Sequence, residues 1–242
     1  MLAIDVGNSR IKFAIWKDGA WQNYTSHEYD IKTLPNLLDK FFENTITQPV
    51  YVSCVVDAAK DFLSRWFKKR WRKSPVFYQS THELAGVTNA YVHPNTLGVD
   101  RWLVMIAAFN AVRSPVCIID CGTAVTLDVI SNEGAHQGGL IMPGLRVMQE
   151  TLLSRTSNIH VSSGSMCDLA KNTGDAVESG CVQLLAMGLD GLSRKHMGIY
   201  PDLRVVMTGG DAKRIAKHMH VKSHYMETLV LDGLRIVADL GS

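Results

Sequence analysis

The sequence predicts an α/β protein made of one unit used twice, each unit a mixed sheet with helices on its faces. Three observations carry this. An apolar strand ending in Asp-x-Gly with a nearby hydroxyl occurs at Leu2-Ala3-Ile4-Asp5-Val6-Gly7-Asn8-Ser9 and again at Ile118-Ile119-Asp120-Cys121-Gly122-Thr123. Each turn leads into further strands with apolar/polar alternation, the pattern of half-buried antiparallel hairpins. Helical and strand periods then alternate in both halves, which makes parallel β-α units beside the meander.

Taken in order, the first half opens with a strand over 2–6, a strand over 11–16 and an Asp18-Gly19 turn. Asp-Gly between two strands favours a tight hairpin, so a third strand follows over 21–26. Leu34, Leu37, Leu38, Phe41 and Phe42 fall at helical spacing. A strand over 50–56, a helix over 57–71 and a strand over 76–78 complete the half. Asn95, Thr96 and Gly98 mark a loop that enters an apolar helix through Trp102, Met105, Ile106 and Phe109. The second half repeats the plan with strands over 116–120 and 124–130, a Glu133-Gly134 turn, and a strand over 137–142. Helices follow over about 145–154 and 168–195, then a strand over 204–207, a Gly209-Gly210 turn with another helix, and a last helix over about 227–239. No Pro/Gly/Ser-rich linker marks the boundary. The expected domains are 1–114 and 115–242.

Composition narrows the function classes. A chain of 242 residues with 46% hydrophobic content suits a globular protein with a sizeable core. A formal net charge of +2 gives no case for nucleic acid or an anionic membrane surface. No apolar run is long enough to span a bilayer, and the N-terminal apolar residues are needed for a strand. The five cysteines include no C-x-x-C pair. Cys117 and Cys121 would stand roughly 13 Å apart on one strand, too far for a disulfide or a shared metal. A reduced, cytoplasmic setting is expected.

Four segments can carry chemistry. In Asp5-Val6-Gly7-Asn8-Ser9-Arg10-Ile11-Lys12, Gly7, Asn8 and Ser9 can offer backbone N–H groups and a hydroxyl to phosphate. Asp5 can hold Mg²⁺ through water, and Lys12 can meet terminal phosphates. The same residue types also make ordinary hairpins, but their recurrence at Asp120-x-Gly122-Thr123 favours two turns gripping one phosphate chain. Thr208-Gly209-Gly210-Asp211 joins a strand to a helix, where a flat adenine or ribose can lie against backbone. The fourth segment is Tyr91-Val92-His93-Pro94-Asn95-Thr96-Leu97-Gly98-Val99-Asp100-Arg101. Here Asp100 falls in the first helical turn, where the helix dipole favours an anion. The plain alternative is a capping Asp100 beside a solvated Arg101.

Together these segments resemble the type III pantothenate kinases, also described as the Bvg accessory factor family. The family belongs to the superfamily of acetate and sugar kinases, heat-shock proteins and actin. The most specific part is Tyr91-x-x-Pro94-x-x-Leu97-Gly98-x-Asp100-Arg101. Ser9 stands where threonine is usual, and Val125 where threonine is common. Gly138-Gly139-x-Ile141-x-Pro143-Gly144 and Asn172-Thr173 with Ala176 and Gly180 also look like the family. The resemblance implies two ribonuclease-H-like (actin-like ATPase) domains and ATP-dependent phosphorylation of pantothenate. It implies Asp100 as catalytic base, with Tyr91, Gly98, Val99, Asp100, Arg101 and Thr173 contacting pantothenate. It implies ATP on Asp5, Val6, Gly7, Asn8, Ser9, Arg10, Ile11, Lys12 and Thr123. Potassium or ammonium is expected on Asp120, Mg²⁺ near Asp5, and a homodimer.

Rival readings are another kinase or phosphatase of the superfamily, or a non-catalytic regulator; the Tyr91–Arg101 string and the retained aspartates oppose them. Basic residues and aromatics interleave in 65–73, but Phe62, Leu63, Trp66, Phe67 and Trp71 share one helical face, leaving the cations on a solvated side. His218, His220 and His224 lack a metal-ligand framework and read as surface residues. The Met and Leu stripe in 184–192 reads as core or interface.

Overall fold

The computed structural model describes residues 1–42, 48–156 and 163–241. The chain forms two compact units, Met1–Asn110 with Thr228–Ser242, and Ala111–Glu227.

The first unit holds β1 (Leu2–Val6), β2 (Arg10–Lys17), β3 (Ala20–Glu28), α1 (Leu34–Phe41), β4 (Val50–Cys54), α2 (Asp57–Trp71) and β5 (Val76–Phe77). A two-residue hairpin, β6 (Glu83–Leu84) and β7 (Val87–Thr88), precedes α3 (Val99–Val112). Its five-stranded sheet has the order β3-β2-β1-β4-β5, antiparallel through the meander and parallel from β1 to β4 to β5. Asp18 and Gly19 both take positive φ, 53° and 78°, the turn that suits the twist of two joined strands. One sheet face carries Leu2, Ile4, Val6, Ile11 and Phe13 into a core shared with Leu34 and Leu38 of α1 and Leu63 and Phe67 of α2. Trp66 and Trp71 pack on the same cluster while Lys68, Lys69 and Arg70 are exposed, so the basic residues of α2 line its wet side.

The second unit holds β8 (Val116–Cys121), β9 (Ala124–Ile130), β10 (His136–Pro143), α4 (Leu145–Arg155), α5 (Thr173–Met197), β11 (Arg204–Thr208), α6 (Ala212–Ala216) and β12 (His224–Tyr225). Its sheet order, β10-β9-β8-β11-β12, is the first unit's order over again. The duplicated mixed sheet expected from the sequence is therefore present. Its core joins Ile119, Leu127, Val182, Leu189 and Met207.

Two elements depart from expectation. The long helix begins at Thr173 and not near residue 168, because the Asn172 side chain accepts the Asp175 N–H at 2.9 Å and caps it there. Leu169 lies outside this helix and is 90% exposed. The last helix, α7 (Leu229–Leu240), packs with the first unit, although sequence order assigns it to the second half. Its buried face includes Leu229, Leu231, Leu234 and Val237, and it lies against β1 and β4. Gly233 is pressed to the Leu103 backbone of α3, where a methyl group would collide. Asp232 accepts from Trp21 Nε1 at 2.7 Å and from the Thr228 hydroxyl at 2.8 Å, which ties this helix to β3.

Among the described residues no helix is long and apolar enough to cross a membrane. His218, His220 and His224 are exposed, and no group of three or more His, Cys, Asp or Glu could hold a metal among the described residues. All five cysteines are free.

Candidate active site

In the first unit the site begins with Asp5, near the end of the central strand and only 5% exposed. Register places Lys12 opposite it on β2 and Ser53 beside it on β4. Lys12 Nζ reaches Asp5 Oδ2 at 3.2 Å, and the Ser53 hydroxyl donates to Oδ1 at 3.1 Å. Both carboxylate oxygens thus have partners, as a buried anion requires. The turn itself is closed by Gly7 N–H donating to the Arg10 carbonyl at 2.9 Å, and Tyr29 donates its hydroxyl to the Gly7 carbonyl at 2.9 Å. Burial pushes the Tyr29 phenol up to about 12, with Cys54 and Asp5 adding to the effect, so it remains a donor at neutral pH. Val6 and Ile11 are fully buried in the core, so any ligand contact they make comes from backbone. Arg10 is exposed and turns its guanidinium to Ser26 and Glu28.

The Tyr91–Arg101 string forms one constellation in the same unit. Asp100 sits in the first turn of α3, its Oδ1 accepting the Arg101 N–H at 2.8 Å. That oxygen leans over Gly98, where an added Cβ would lie 2.6 Å from it. Glycine is therefore a steric condition for this carboxylate position. Arg101 is only 7% exposed, not solvated; its Nη1 donates to the Tyr91 hydroxyl at 2.9 Å and its guanidinium lies 5.7 Å from the Tyr91 ring centroid. Val99 is buried behind them. Burial raises the pKa of Asp100, and the negative charge of Asp5 raises it further, against smaller opposing effects from Arg101.

The second unit repeats the turn with different partners. Asp120 lies across from Thr126 on β9 and Thr208 on β11. Gly122 N–H donates to the Ala124 carbonyl, and Gly144 N–H to the Thr123 carbonyl, each at 3.1 Å. This leaves Thr123 exposed at the turn. Gly209, at φ +94°, brings the next turn so close that a Cβ on it would lie 2.5 Å from both Asp120 Oδ1 and the Cys121 carbonyl. Thr173, also in this unit, is exposed at the start of α5.

A family model for type III pantothenate kinase matches residues 1–195. The chain belongs to that family. A type III pantothenate kinase of Nitrosococcus oceani is 32% identical over 98% of this chain and 93% of its own length. One from Thiobacillus denitrificans is 32% identical over 99% of this chain and 97% of its own. Among solved structures, a Baf family protein of Campylobacter jejuni superposes with a TM-score of 0.65 at 22% identity, covering 100% of this chain and 99% of that one. Component A of (R)-2-hydroxyglutaryl-CoA dehydratase from Acidaminococcus fermentans gives 0.57 at 16% identity, covering 100% and 99%. These likenesses show the fold, that of the actin-like ATPases and sugar kinases with its two ribonuclease-H-like halves.

Two residues that contact the Asp5 turn escape sequence reading. Ser53 interrupts an otherwise apolar strand, and that lone hydroxyl was its one signal, interpretable once Val50–Cys54 is paired in parallel with Leu2–Val6. Tyr29 follows the third strand and carries no local signature.

The residues also bear on the ions a kinase of this family would use. With both Asp5 oxygens engaged by Lys12 and Ser53, Mg²⁺ fits as an ion held through water and substrate phosphate, not by a protein cage. In the second unit the Gly209 turn packs directly against Asp120 Oδ1 and the Cys121 carbonyl, where any side chain would collide.

The raised pKa of Asp100 has a consequence for stability. The folded state holds its proton more tightly than the unfolded chain, whose Asp titrates near 3.9. Asp100 therefore costs nothing below that value and destabilises as pH rises through its higher folded value. Asp100→Asn should raise the melting temperature at pH 7, and the gain should shrink towards zero as pH falls to about 3. Thermal unfolding of both proteins across this range checks it; a variant no more stable at pH 7 than at pH 3, relative to wild type, refutes the sign.

Proposed function

We propose that the chain is an ATP-dependent pantothenate kinase, converting pantothenate to 4′-phosphopantothenate in the first step of coenzyme A synthesis. The observation that carries this reading is the Asp100 constellation, a carboxylate of raised pKa held over Gly98 beside the buried Arg101–Tyr91 pair, in a chain of this family.

The chemistry asks little covalent work of the protein. Phosphoryl transfer passes through a loose transition state, so catalysis is positioning and charge neutralisation. Asp100 orients the 4′-hydroxyl and accepts its proton late, and its raised pKa makes it a stronger base. Arg101 and Tyr91, with Gly98 and Val99 beside them, hold the acceptor; Thr173 adds a hydroxyl contact to it. Gly7, Asn8 and Ser9 bind ATP phosphates through N–H groups and a hydroxyl, with Lys12 as the cation, and Thr123 contributes a second hydroxyl. When bound, Mg²⁺ and a monovalent cation on Asp120 neutralise phosphate charge. Such a metabolic kinase acts in the cytoplasm, which cell fractionation checks.

An assay of ADP release with pantothenate against sugars and short acids tests the activity. Asp100→Asn should lower turnover on the order of 10²–10⁴-fold with the fold intact. Near-normal turnover would reduce Asp100 to a helix cap.

Adding potassium or ammonium to enzyme assayed in sodium or Tris buffer should raise the rate, and Asp120→Asn should abolish that response. Equal rates in every salt would remove the cation from Asp120.

The homodimer rests on an apolar groove of about 390 Å³ between α4 and α5, lined by Val147, Met148, Leu152, Val177 and Leu184. Leu184 is 64% exposed and Met187 68%, apolar surface that a second copy of the chain could cover. Sedimentation should find two chains per particle, and Thr173→Val should raise the Michaelis constant for pantothenate several-fold while sparing that for ATP. An active monomer, or a variant weakened towards ATP, overturns this placement.

A further inference from the structure

Tyr29 carries none of the functions assigned above, yet it grips the Gly7–Ser9 turn at two points. Its hydroxyl donates to the Gly7 carbonyl at 2.9 Å, and its own N–H donates to the Ser9 carbonyl at 3.4 Å. The residue is held from both sides. Before it, Glu28 at the end of β3 pairs with Arg10 of β2. After it, Asp30 Oδ1 accepts the Lys32 and Thr33 N–H groups at 2.7 and 2.8 Å. Its ring packs at the margin of the first unit's core. The hydroxyl therefore meets the turn from a fixed frame.

A planar trans peptide points its C=O and its N–H in opposite directions. The Gly7–Asn8 peptide is trans. Holding the Gly7 carbonyl on Tyr29 therefore aims the Asn8 N–H away from Tyr29. The N–H before it is already engaged, since Gly7 donates to the Arg10 carbonyl at 2.9 Å. Asn8 is exposed, and among the described residues its N–H donates to no protein acceptor. The turn thus presents one open donor whose direction a side chain 21 positions later sets. Without the phenol that peptide plane would be free to rotate about a glycine, the least restricted of residues. A donor fixed before its ligand arrives loses less on binding, and an anionic acceptor strengthens the bond.

We propose that Tyr29 is a positioning residue that presets the Asn8 N–H as a donor to a phosphate of ATP. The inference rests on the ATP-binding part of the function proposed above. Tyr29 itself touches no phosphate in this scheme, because its hydroxyl proton is committed to Gly7. Its effect is consequently selective: a residue that only braced the fold would act on every part of the nucleotide alike.

Calorimetric titration of the full chain with ATP and with adenosine tests this. Tyr29→Phe should weaken ATP roughly 5- to 10-fold, the worth of one lost hydrogen bond, and leave adenosine unchanged. Tyr29→Leu, which also lacks the hydroxyl, should show the same split and keeps the test decisive if the first variant misfolds. In amide NMR spectra the Asn8 proton should move downfield when ATP is added to wild type, and by less in Tyr29→Phe. Unchanged ATP affinity, equal weakening of ATP and adenosine, or an Asn8 amide indifferent to ATP would each overturn the proposal. The same split in a protein that turns over no pantothenate would support the role of Tyr29 while removing the acceptor assigned above.

Discussion

The candidate site depends on one constraint: a carboxylate placed near the end of a buried central strand has to be compensated by the strands on either side. Asp5 is 5% exposed, and an isolated charge there would be costly. Its compensation comes from cross-strand register, Lys12 on the antiparallel side and Ser53 on the parallel side. A slip of one residue in β2 would turn Lys12 to the opposite face and bring Ile11 or Phe13 against the carboxylate. Folding the hairpin correctly and assembling the charged end of the strand are thus the same event. The Gly7 turn, closed by Arg10 and buttressed by Tyr29, is shaped by that register.

Duplication then supplies a comparison inside one molecule. Asp120 occupies the equivalent strand of the second sheet, and its parallel neighbour again carries a hydroxyl, Thr208, at the matching register. The antiparallel neighbour differs: Thr126 stands where the first unit has Lys12. A lysine supplies positive charge from within the protein, whereas threonine supplies none. Gly209 adds to the difference by letting its turn pack hard against Asp120 Oδ1 and the Cys121 carbonyl. One architecture therefore sets a lysine across from one carboxylate and a threonine across from the other.

Much of this was legible in the sequence because it rests on local rules. The strand ends, the Asp18-Gly19 turn and the extent of α2 follow from alternation, turn chemistry and helical period. The Asp-x-Gly repeats announced the duplication, and the Tyr91–Arg101 string announced the family. What escaped depends on tertiary contact. The pairing of β6 with β7 involves two residues a side, too few to show a period. The place of α7 could not be read from order along the chain, since it follows from the fit of Gly233 against Leu103 and from Asp232 meeting Trp21. Arg101 read equally well as a solvated residue until its partner, ten positions earlier, was seen beside it.

The two aspartates of the first unit show how one fold gives identical side chains different work. Asp5 has a lysine and a hydroxyl on its oxygens. Asp100 has a backbone N–H, a glycine beneath it and burial around it, with Asp5 as a second source of strain on its charge. Burial raises the proton affinity of Asp100, and the negative charge of Asp5 raises it further. Basicity rises with pKa, which suits the role proposed for Asp100. The compensation that lets Asp5 be buried as an anion is thus also part of what tunes its neighbour, and changes at Lys12 or Ser53 would reach Asp100 without touching it.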